Sequence, residues 1–256
     1  MVPDLAIWLA HFDYHAAHRR GLPEELPGRL SAEERRCIAR SLATFQLGEQ
    51  SDGAALRRAA RRFESDNAAA PIARIIDHLI QEEQHHAALI GAYMQENDLP
   101  RRRRDWTDRA FRWLRQRGGF ELHVAVLLSA ELVGHVYYRA LERATGCQRL
   151  RLLCRMLVAD ELAHVAFEAD LLLALRSRRS PMRQRALALA QRLFFIGTAL
   201  VVWFTHRPVL RRACYGAGSF LRDCRSQYDF YLERPRDSAV RAAKPSGAGG
   251  ARAALP

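Results

Sequence analysis

The segment Leu157-Val-Ala-Asp160-Glu161-Leu-Ala-His164-Val-Ala-Phe167 decides the fold that we predict for this chain. It places two acids and a histidine inside an otherwise apolar stretch. Residues three apart share one face of an α-helix, so Glu161 and His164 are expected to point the same way. Burying an unpaired carboxylate is costly, and a metal ion is one partner that offsets the cost. The segment therefore predicts a helix that carries metal ligands.

A second segment, Glu82-Glu83-Gln-His85-His86-Ala-Ala-Leu89, repeats this pattern. Its two possible Glu-x-x-His registers pair Glu82 with His85 or Glu83 with His86. Aligning the acid, glutamate, histidine, small apolar and large apolar positions of the first segment on the second selects Glu83 and His86.

Two further glutamates, Glu49 and Glu131, follow the small residues Gly48 and Ala130 within apolar stretches. A small neighbour permits the close approach of another helix or of a metal ion. Glu131 is the only acidic residue between Glu121 and Glu142. Both are therefore candidates for the same site.

The spacing along the chain brings these acids to one level. Glu49 and Glu83 each lie 17 residues from the predicted turn at Asp66, and Glu131 and Glu161 each lie 15 residues from the next turn. At about 1.5 Å per residue, both members of each helical hairpin reach the same height. Four glutamates and two histidines are thus predicted to converge.

Hydrophobic periodicity near 3.6 residues, with no convincing alternation of period two, predicts an all-α chain. Ser31 and Glu34 have the spacing of a capping box. The link 98–118 is long enough to cross a four-helix bundle, and Trp106–Arg117 could form a short helix within it. The predicted helices are A (Ser31–Phe63), B (Pro71–Glu96), C (Gly119–Ala144), D (Gln148–Leu175), E (from Pro181 to before Pro208) and a short helix over Ser219–Leu232.

These elements predict four regions. Residues 1–30 are expected to form a short helix and a loop, and residues 31–176 a helical bundle. Residues 177–233 are expected to add helices that pack on the bundle, and residues 234–256 to form a disordered tail.

The pattern of two glutamates and two Glu-x-x-His motifs resembles the ferritin-like di-iron carboxylate superfamily. The resemblance covers about residues 31–175 and implies a ferritin-like bundle with two iron ions, or Mn/Fe or manganese, bridged by one or more glutamates. The implied ligands are Glu49, Glu83, His86, Glu131, Glu161 and His164, the four glutamates also being the catalytic candidates.

The resemblance further implies partners for these ligands. In related proteins an acid just before a ligand glutamate bonds a ligand histidine on the opposing helix, a role that falls here to Glu82 and Asp160. Tyr138 lies seven residues after Glu131 on the same helix face. It is expected to be either a redox-active or hydrogen-bonding tyrosine next to the ligands or a residue of the hydrophobic core. The arylamine N-oxygenases of the superfamily have a third histidine where this chain has Leu157.

The implied function is O₂-dependent oxidation of a small or lipid-like organic substrate, which also requires an electron donor. Helix E would then line a substrate pocket, or else belong to the core or to a homodimer interface. Alternatives are a ferroxidase or iron-handling protein, a tRNA-modifying hydroxylase that uses Arg101–Arg104, and a non-enzymatic basic protein that binds a membrane or nucleic acid.

The positive net charge keeps open the alternatives in which the protein binds nucleic acid or a membrane. The net charge is +12, with 39 arginines and one lysine, which suits an anionic partner or reflects genome composition. The apolar run Leu193–Phe204 has 12 residues, fewer than a bilayer span needs, but arginines before it could seat the chain on an anionic membrane. The chain has five cysteines without CxxC spacing and an N-terminus that does not resemble a signal peptide, which predicts a cytoplasmic protein. Association with the surface of a membrane stays possible in this interpretation.

Overall fold

The computed structural model describes residues 4–23, 26, 28–68, 71–116 and 118–233. This part of the chain contains no strand, and the prediction of an all-α protein is confirmed. Its helices are α1 (Leu5–Ala17), α2 (Ala32–Glu49), α3 (Ala54–Asn67), α4 (Ile72–Glu96), α5 (Trp106–Gln116), α6 (Phe120–Ala144), α7 (Gln148–Ser177), α8 (Pro181–Arg212) and α9 (Ala217–Tyr228), followed by a π-helical turn Asp229–Glu233.

The beginning of α2 fixes one end of the bundle. Ser31 and Glu34 form the predicted capping box, in which each side chain accepts a hydrogen bond from the backbone N–H of the other. The second oxygen of the Glu34 carboxylate accepts from the Thr145 hydroxyl (2.9 Å) and the Gly146 N–H (2.7 Å). One carboxylate therefore joins the start of α2 to the turn between α6 and α7.

Helix α6 forms the centre of the packing. It makes a tight hairpin with α7, and α8 and α9 cover its remaining face. Helices α2 and α3 both pack against α4, and α5 lies within the long link between α4 and α6. The side chains that α6 buries include four fully enclosed residues of its apolar faces: Leu128, Leu132, Val133 and Leu141.

The predicted helix A is wrong as a single helix, because it breaks after Glu49. Gly53 adopts a left-handed backbone conformation (φ +62°), which costs glycine little and other residues more. A Cβ atom at Gly53 would lie 2.5 Å from the Ile80 side chain, so the break also permits close contact with α4. Glu49 consequently occupies the last position of α2 rather than the middle of a long helix.

The predicted end of helix E is also wrong, since α8 continues through Pro208 to Arg212. Proline cannot donate a backbone hydrogen bond, and the helix accommodates it by a kink at His206 (φ −113°, ψ 15°). The predicted short helices are present as α1, α5 and α9. The predicted tail, residues 234–256, lies outside the described residues.

Within the part of the chain that the structure describes, two helices are long and apolar enough to cross a bilayer by length and composition alone, which is weak evidence of a membrane span. In α6, 78 % of the apolar window is buried inside the bundle, as in the core helix of a globular protein. In α8 only 28 % is buried. Helix α8 therefore presents an apolar surface that the packing of the bundle does not explain.

Candidate metal centre

Four helices bring the six predicted ligands into two adjoining groups. One group contains Glu49, Glu83, His86 and Glu161, and the other contains Glu83, Glu131, Glu161 and His164. Within each group the potential ligand atoms all lie within 4.8 Å of one another. Glu83 and Glu161 belong to both groups. This arrangement could hold metal ions at two adjacent positions, with two carboxylates shared between them.

The two histidines face the shared carboxylates through their Nδ1 atoms. The Nδ1 of His164 lies 3.0 Å from Glu83 Oε1 and 3.4 Å from Glu161 Oε2. The Nδ1 of His86 lies 3.5 Å from Glu161 Oε1. Since the two oxygens of Glu161 approach different histidines, its carboxylate is oriented to bridge the two positions.

Polar atoms without partners converge on the middle of the site. Neither oxygen of Glu131 has a hydrogen bond among the described residues, nor do Glu83 Oε1, Glu161 Oε2 and the Nδ1 atoms of His86 and His164. Unsatisfied buried groups of this kind are rare and call for an explanation. Carboxylate oxygens and imidazole nitrogens are also suitable donors for iron or manganese. The residues present therefore fit a pair of metal ions.

Proton-binding properties reflect the crowding of charge. Burial alone would lower the pKa of His86 and His164, but hydrogen bonds to surrounding carboxylates raise both pKa values well above the ordinary value. Burial would raise the pKa of Glu161, yet the two adjacent histidines lower it to about 2. Burial raises the pKa of Glu49, and nearby Glu83 raises it further. In the metal-free protein, protons on these groups balance the charge that metal ions would otherwise neutralise.

Behind the histidines, acids from the opposing helices hold the imidazole rings. The Nε2 of His86 on α4 lies 3.3 Å from Asp160 Oδ2 on α7, and the Nε2 of His164 on α7 lies 3.1 Å from Glu82 Oε2 on α4. The structure thus brings Glu82 and Asp160 to the reciprocal positions that the resemblance implies. Contacts of this kind fix ring orientation and leave Nδ1 to face the metal positions.

Helix α1 and the following loop close this histidine side, which sequence reasoning did not foresee. His15 Nδ1 lies 3.6 Å from Glu82, and Arg20 donates to Asp160 at 2.7 Å. Phe12 stacks on the His164 ring with a centroid separation of 5.9 Å. His15, Glu82 and Asp160 form a third cluster of possible metal donors, but the cation that contacts this cluster in the structure is Arg20.

Tyr138 reaches the site from the α6 side. Its hydroxyl donates a 2.6 Å hydrogen bond to Glu49 Oε1. Burial raises the pKa of Tyr138, and the adjacent Glu49 raises it further, so the phenol keeps its proton. The structure therefore places Tyr138 as a donor to a candidate ligand.

Glu168 is a buried acid that sequence reasoning missed. It is 1 % exposed, lies two helical turns after Glu161, and neither of its oxygens has a hydrogen-bond partner among the described residues. Burial and the proximity of Glu168 raise the pKa of Glu131. The corresponding position in α4, seven residues after Glu83, is the apolar Ile90. The signal was present in the sequence, since Glu168 directly follows Phe167 within a largely apolar helical segment.

A cavity of about 170 Å³ opens on the carboxylates from the side opposite the histidine partners. Helices α2, α5, α6 and α8 line it together with Glu83 of α4 and Glu161 of α7. Gly48 and Ala130, the small neighbours of two candidate ligands, belong to its wall, and a Cβ atom at Gly48 would meet no other atom within 4 Å. The residues that α5 and α8 contribute are Thr107, Phe111, Thr198, Val201, Val202, Thr205 and His206.

Other candidates lie apart from the centre. His85 contacts the backbone oxygen of Arg20 (2.9 Å), and His135 belongs to neither ligand group among the described residues. In the predicted arginine cluster, Arg101 donates to the Gly91 carbonyl and Arg102 pairs with Asp105. Two of the four arginines of this loop are therefore engaged within the fold.

Comparison of the chain with models of known protein families, with curated proteins and with solved structures found no match in any of the three. The assignment of this centre therefore depends on its own geometry.

Proposed function

We propose that this protein is a ferritin-like carboxylate-bridged di-iron enzyme that uses O₂ to oxidise a small apolar organic substrate. The observation that carries the proposal is the junction of the six-residue centre with the cavity. Four carboxylates and two histidines match the ligand set of di-iron carboxylate proteins, and the same carboxylates form one wall of the cavity. Metal ions and an organic molecule would therefore meet directly.

The chemistry that bound iron supplies is the reductive activation of O₂ by two ferrous ions. The side chains of the protein would hold the two ions. Glu83 and Glu161 would bridge the ions, Glu49 and His86 would complete one position, and Glu131 and His164 the other. Oxygen-rich ligation with few histidines favours iron or manganese over zinc or copper.

The cavity side supplies substrate selection. An engineered cavity of about 150 Å³ in another protein binds benzene, so a space of about 170 Å³ suits one ring or a short alkyl chain. The hydroxyls of Thr198 and Thr205 donate to backbone carbonyls of their own helix, at 3.0 and 2.7 Å. These hydroxyls leave the wall largely without free donors, which suits an apolar substrate.

His206 adds a polar side chain to the cavity wall. The Nδ1 of His206 is 2.6 Å from the Ser41 hydroxyl, which also contacts the Tyr137 hydroxyl. Burial lowers the pKa of His206 to about 4, so the imidazole is neutral at pH 7. A substrate with an uncharged polar end could therefore be accommodated next to His206.

Insertion of one oxygen atom into a C–H bond leaves the other oxygen as water and consumes two electrons and two protons. An external reductant, such as a reduced flavin or an iron–sulfur protein, is therefore part of the proposal. Tyr138 holds a proton beside Glu49 on the cavity side. The neighbouring cationic and hydrogen-bonding groups lower the pKa of Asp160, so this partner of His86 is deprotonated and accepts the hydrogen bond of the imidazole.

The main alternative is a ferroxidase, which uses the same ligands to oxidise iron as its substrate. Excess Fe(II) in air separates the two. As an oxygenase, the protein should bind about two Fe(II) per chain anaerobically, oxidise that pair and then stop until a reductant such as dithionite is added. Continued oxidation of many equivalents with formation of a ferric core would establish the ferroxidase instead. Binding of less than about one iron or manganese per chain would contradict both.

A further inference from the structure

Helix α8 carries an exposed apolar stripe along its outer face. We define the stripe as Met182, Leu189, Leu193, Ile196, Leu200 and Phe204, all of which are exposed. At about 100° per residue these positions fall within an arc of about 80° and extend over about 33 Å. Leu193 is 61 % and Phe204 68 % exposed, so the bundle leaves this face uncovered.

The opposite face of α8 is fixed to the bundle. Phe195, Ala199 and Trp203 are buried, and the buried Gln191 amide donates to the Ala125 carbonyl (2.8 Å) on α6. Because one face packs along α6 and only the other is free, α8 is arranged to lie in a membrane surface rather than to cross it.

The charges of α8 select the surface that would cover the stripe. The helix contains six arginines and no acid. Arg192 and Arg212 pair with Glu233 and Glu33, whereas Arg185, Arg207 and Arg211 form no ion pair among the described residues. Arg185 lies near one end of the stripe and the other two lie at its far end.

A second copy of the chain fits this face less well. Antiparallel pairing of two stripes about Ile196 would bring Arg185 of one copy towards Arg207 and Arg211 of the other, with no acid on either helix to separate them. Like charges at such an interface oppose association. Anionic lipid headgroups instead complement the arginines while the apolar side chains enter the acyl region.

We propose that the α8 stripe docks this protein in the plane of an anionic lipid bilayer. Helix α8 also lines the cavity with Val201, which lies on the helix between the stripe and the buried face. If the proposed function holds, docking would let apolar molecules dissolved in the bilayer reach the metal centre along this helix. The docking itself does not depend on metal binding.

Flotation of the full, metal-free chain with lipid vesicles tests the proposal. We expect binding to vesicles of phosphatidylcholine with phosphatidylglycerol, weaker binding to phosphatidylcholine alone, and loss of binding as salt is added. The double substitution Leu189→Ser/Leu193→Ser should lower the partition coefficient about tenfold or more, since it removes two apolar anchors. Arg185→Gln/Arg211→Gln should weaken binding to the anionic vesicles only.

Ile7→Ser on α1 is the matched control, because Ile7 is also an exposed apolar residue (39 %) on a surface helix. It should leave vesicle binding unchanged. All replaced side chains are exposed, and unchanged melting temperatures would show that the variants remain folded. Absence of binding at low salt would overturn the proposal, as would an equal loss in Ile7→Ser. A dimer that Leu189→Ser/Leu193→Ser dissociates would assign the stripe to a second copy instead.

Discussion

The two sides of the candidate metal centre are built differently. On the histidine side, α1 closes the site, and each imidazole contacts an acid that contacts a further side-chain nitrogen: His86 contacts Asp160, which accepts from Arg20, and His164 contacts Glu82, which lies next to His15. On the opposite side, the carboxylates face a cavity bounded by α5 and α8. The closed side is suited to hold metal ions, and the open side is suited to exchange ligands and admit a substrate.

The largest loss of metal binding is expected for substitution of the carboxylates that lie between the two sides. Glu161→Ala removes a carboxylate shared by both ligand groups and should abolish metal binding, as should Glu131→Ala. Metal analysis after anaerobic Fe(II) loading measures the result. Glu142→Ala, which removes a surface acid paired with Arg155, is the control and should retain full metal content. Unchanged metal content in both ligand variants would refute the ligand assignment.

The next effect tests the closed side. Asp160→Asn keeps the shape of the side chain but removes the charge next to His86, and such partners typically change metal affinity by about 10–100-fold. Titration with Mn(II) or Fe(II) provides the affinity. Tyr138→Phe, on the other side, removes only one hydrogen bond to Glu49 and should lower affinity less than Asp160→Asn. The reverse order would mean that the closed side does not secure the metal.

Filling the cavity should separate substrate access from metal binding. Gly48→Phe places a ring in the open space beside Glu49, whereas Gly48→Ala adds only a methyl group. We expect Gly48→Phe to retain its metal and to lose about tenfold or more in binding of a toluene probe, measured by ligand-observed NMR. Equal toluene binding by both variants would show that the cavity is not the site of entry.

The smallest expected effect is the change in stability of the metal-free protein with pH. Raised pKa values at the centre mean that the folded, metal-free protein binds more protons there than the unfolded chain, so above pH 6.5 its stability should fall as the pH rises. Between about pH 4 and 6.5 the lowered pKa values of His11 and His206 oppose this fall. Below pH 4.5 the lowered pKa of Glu161 reverses the slope. The acids and histidines of the centre with raised pKa values are Glu49, Glu131, Glu168, His86 and His164.

Metal should reverse this dependence, because its binding requires deprotonated ligands and releases protons. Melting temperatures of the metal-free protein are therefore expected to drop by a few degrees from mildly acidic to alkaline pH, and those of the loaded protein to hold or rise. Scanning calorimetry over this range measures both. Parallel pH profiles for the two forms would contradict the assignment of these groups as ligands.

The sequence predicted much of this centre because helical spacing is local. A Glu-x-x-His pair fixes one face of one helix, so Glu83 with His86 and Glu161 with His164 could be selected without knowing the fold. Matched distances from the turns also brought Glu49 and Glu131 to the same level. For Glu49 the 17 counted residues include the break between α2 and α3, so its position at this level depends on the packing of α2 against α4 rather than on a continuous helix.

Contacts between segments far apart in the chain could not be predicted in this way. Arg20 meets Asp160 across 140 positions, and no local pattern distinguishes it from the other arginines of a very arginine-rich chain. Glu168 could have been noticed as an acid on an apolar helix, but its proximity to Glu131 depends on how α6 and α7 pack. The kink at His206 likewise depends on the packing of α8 around Pro208.

The sequence by itself determined the all-α chain, the long link between the two pairs of helices and the residue types that meet at one level. These follow from periodicity, capping and spacing, which are properties of neighbouring residues. The tertiary structure decided that α1 closes one side of the centre, that α5 and α8 enclose a cavity on the other, and that the α8 stripe stays exposed. Each of these depends on which apolar faces bury one another, and that choice is made by packing between distant segments.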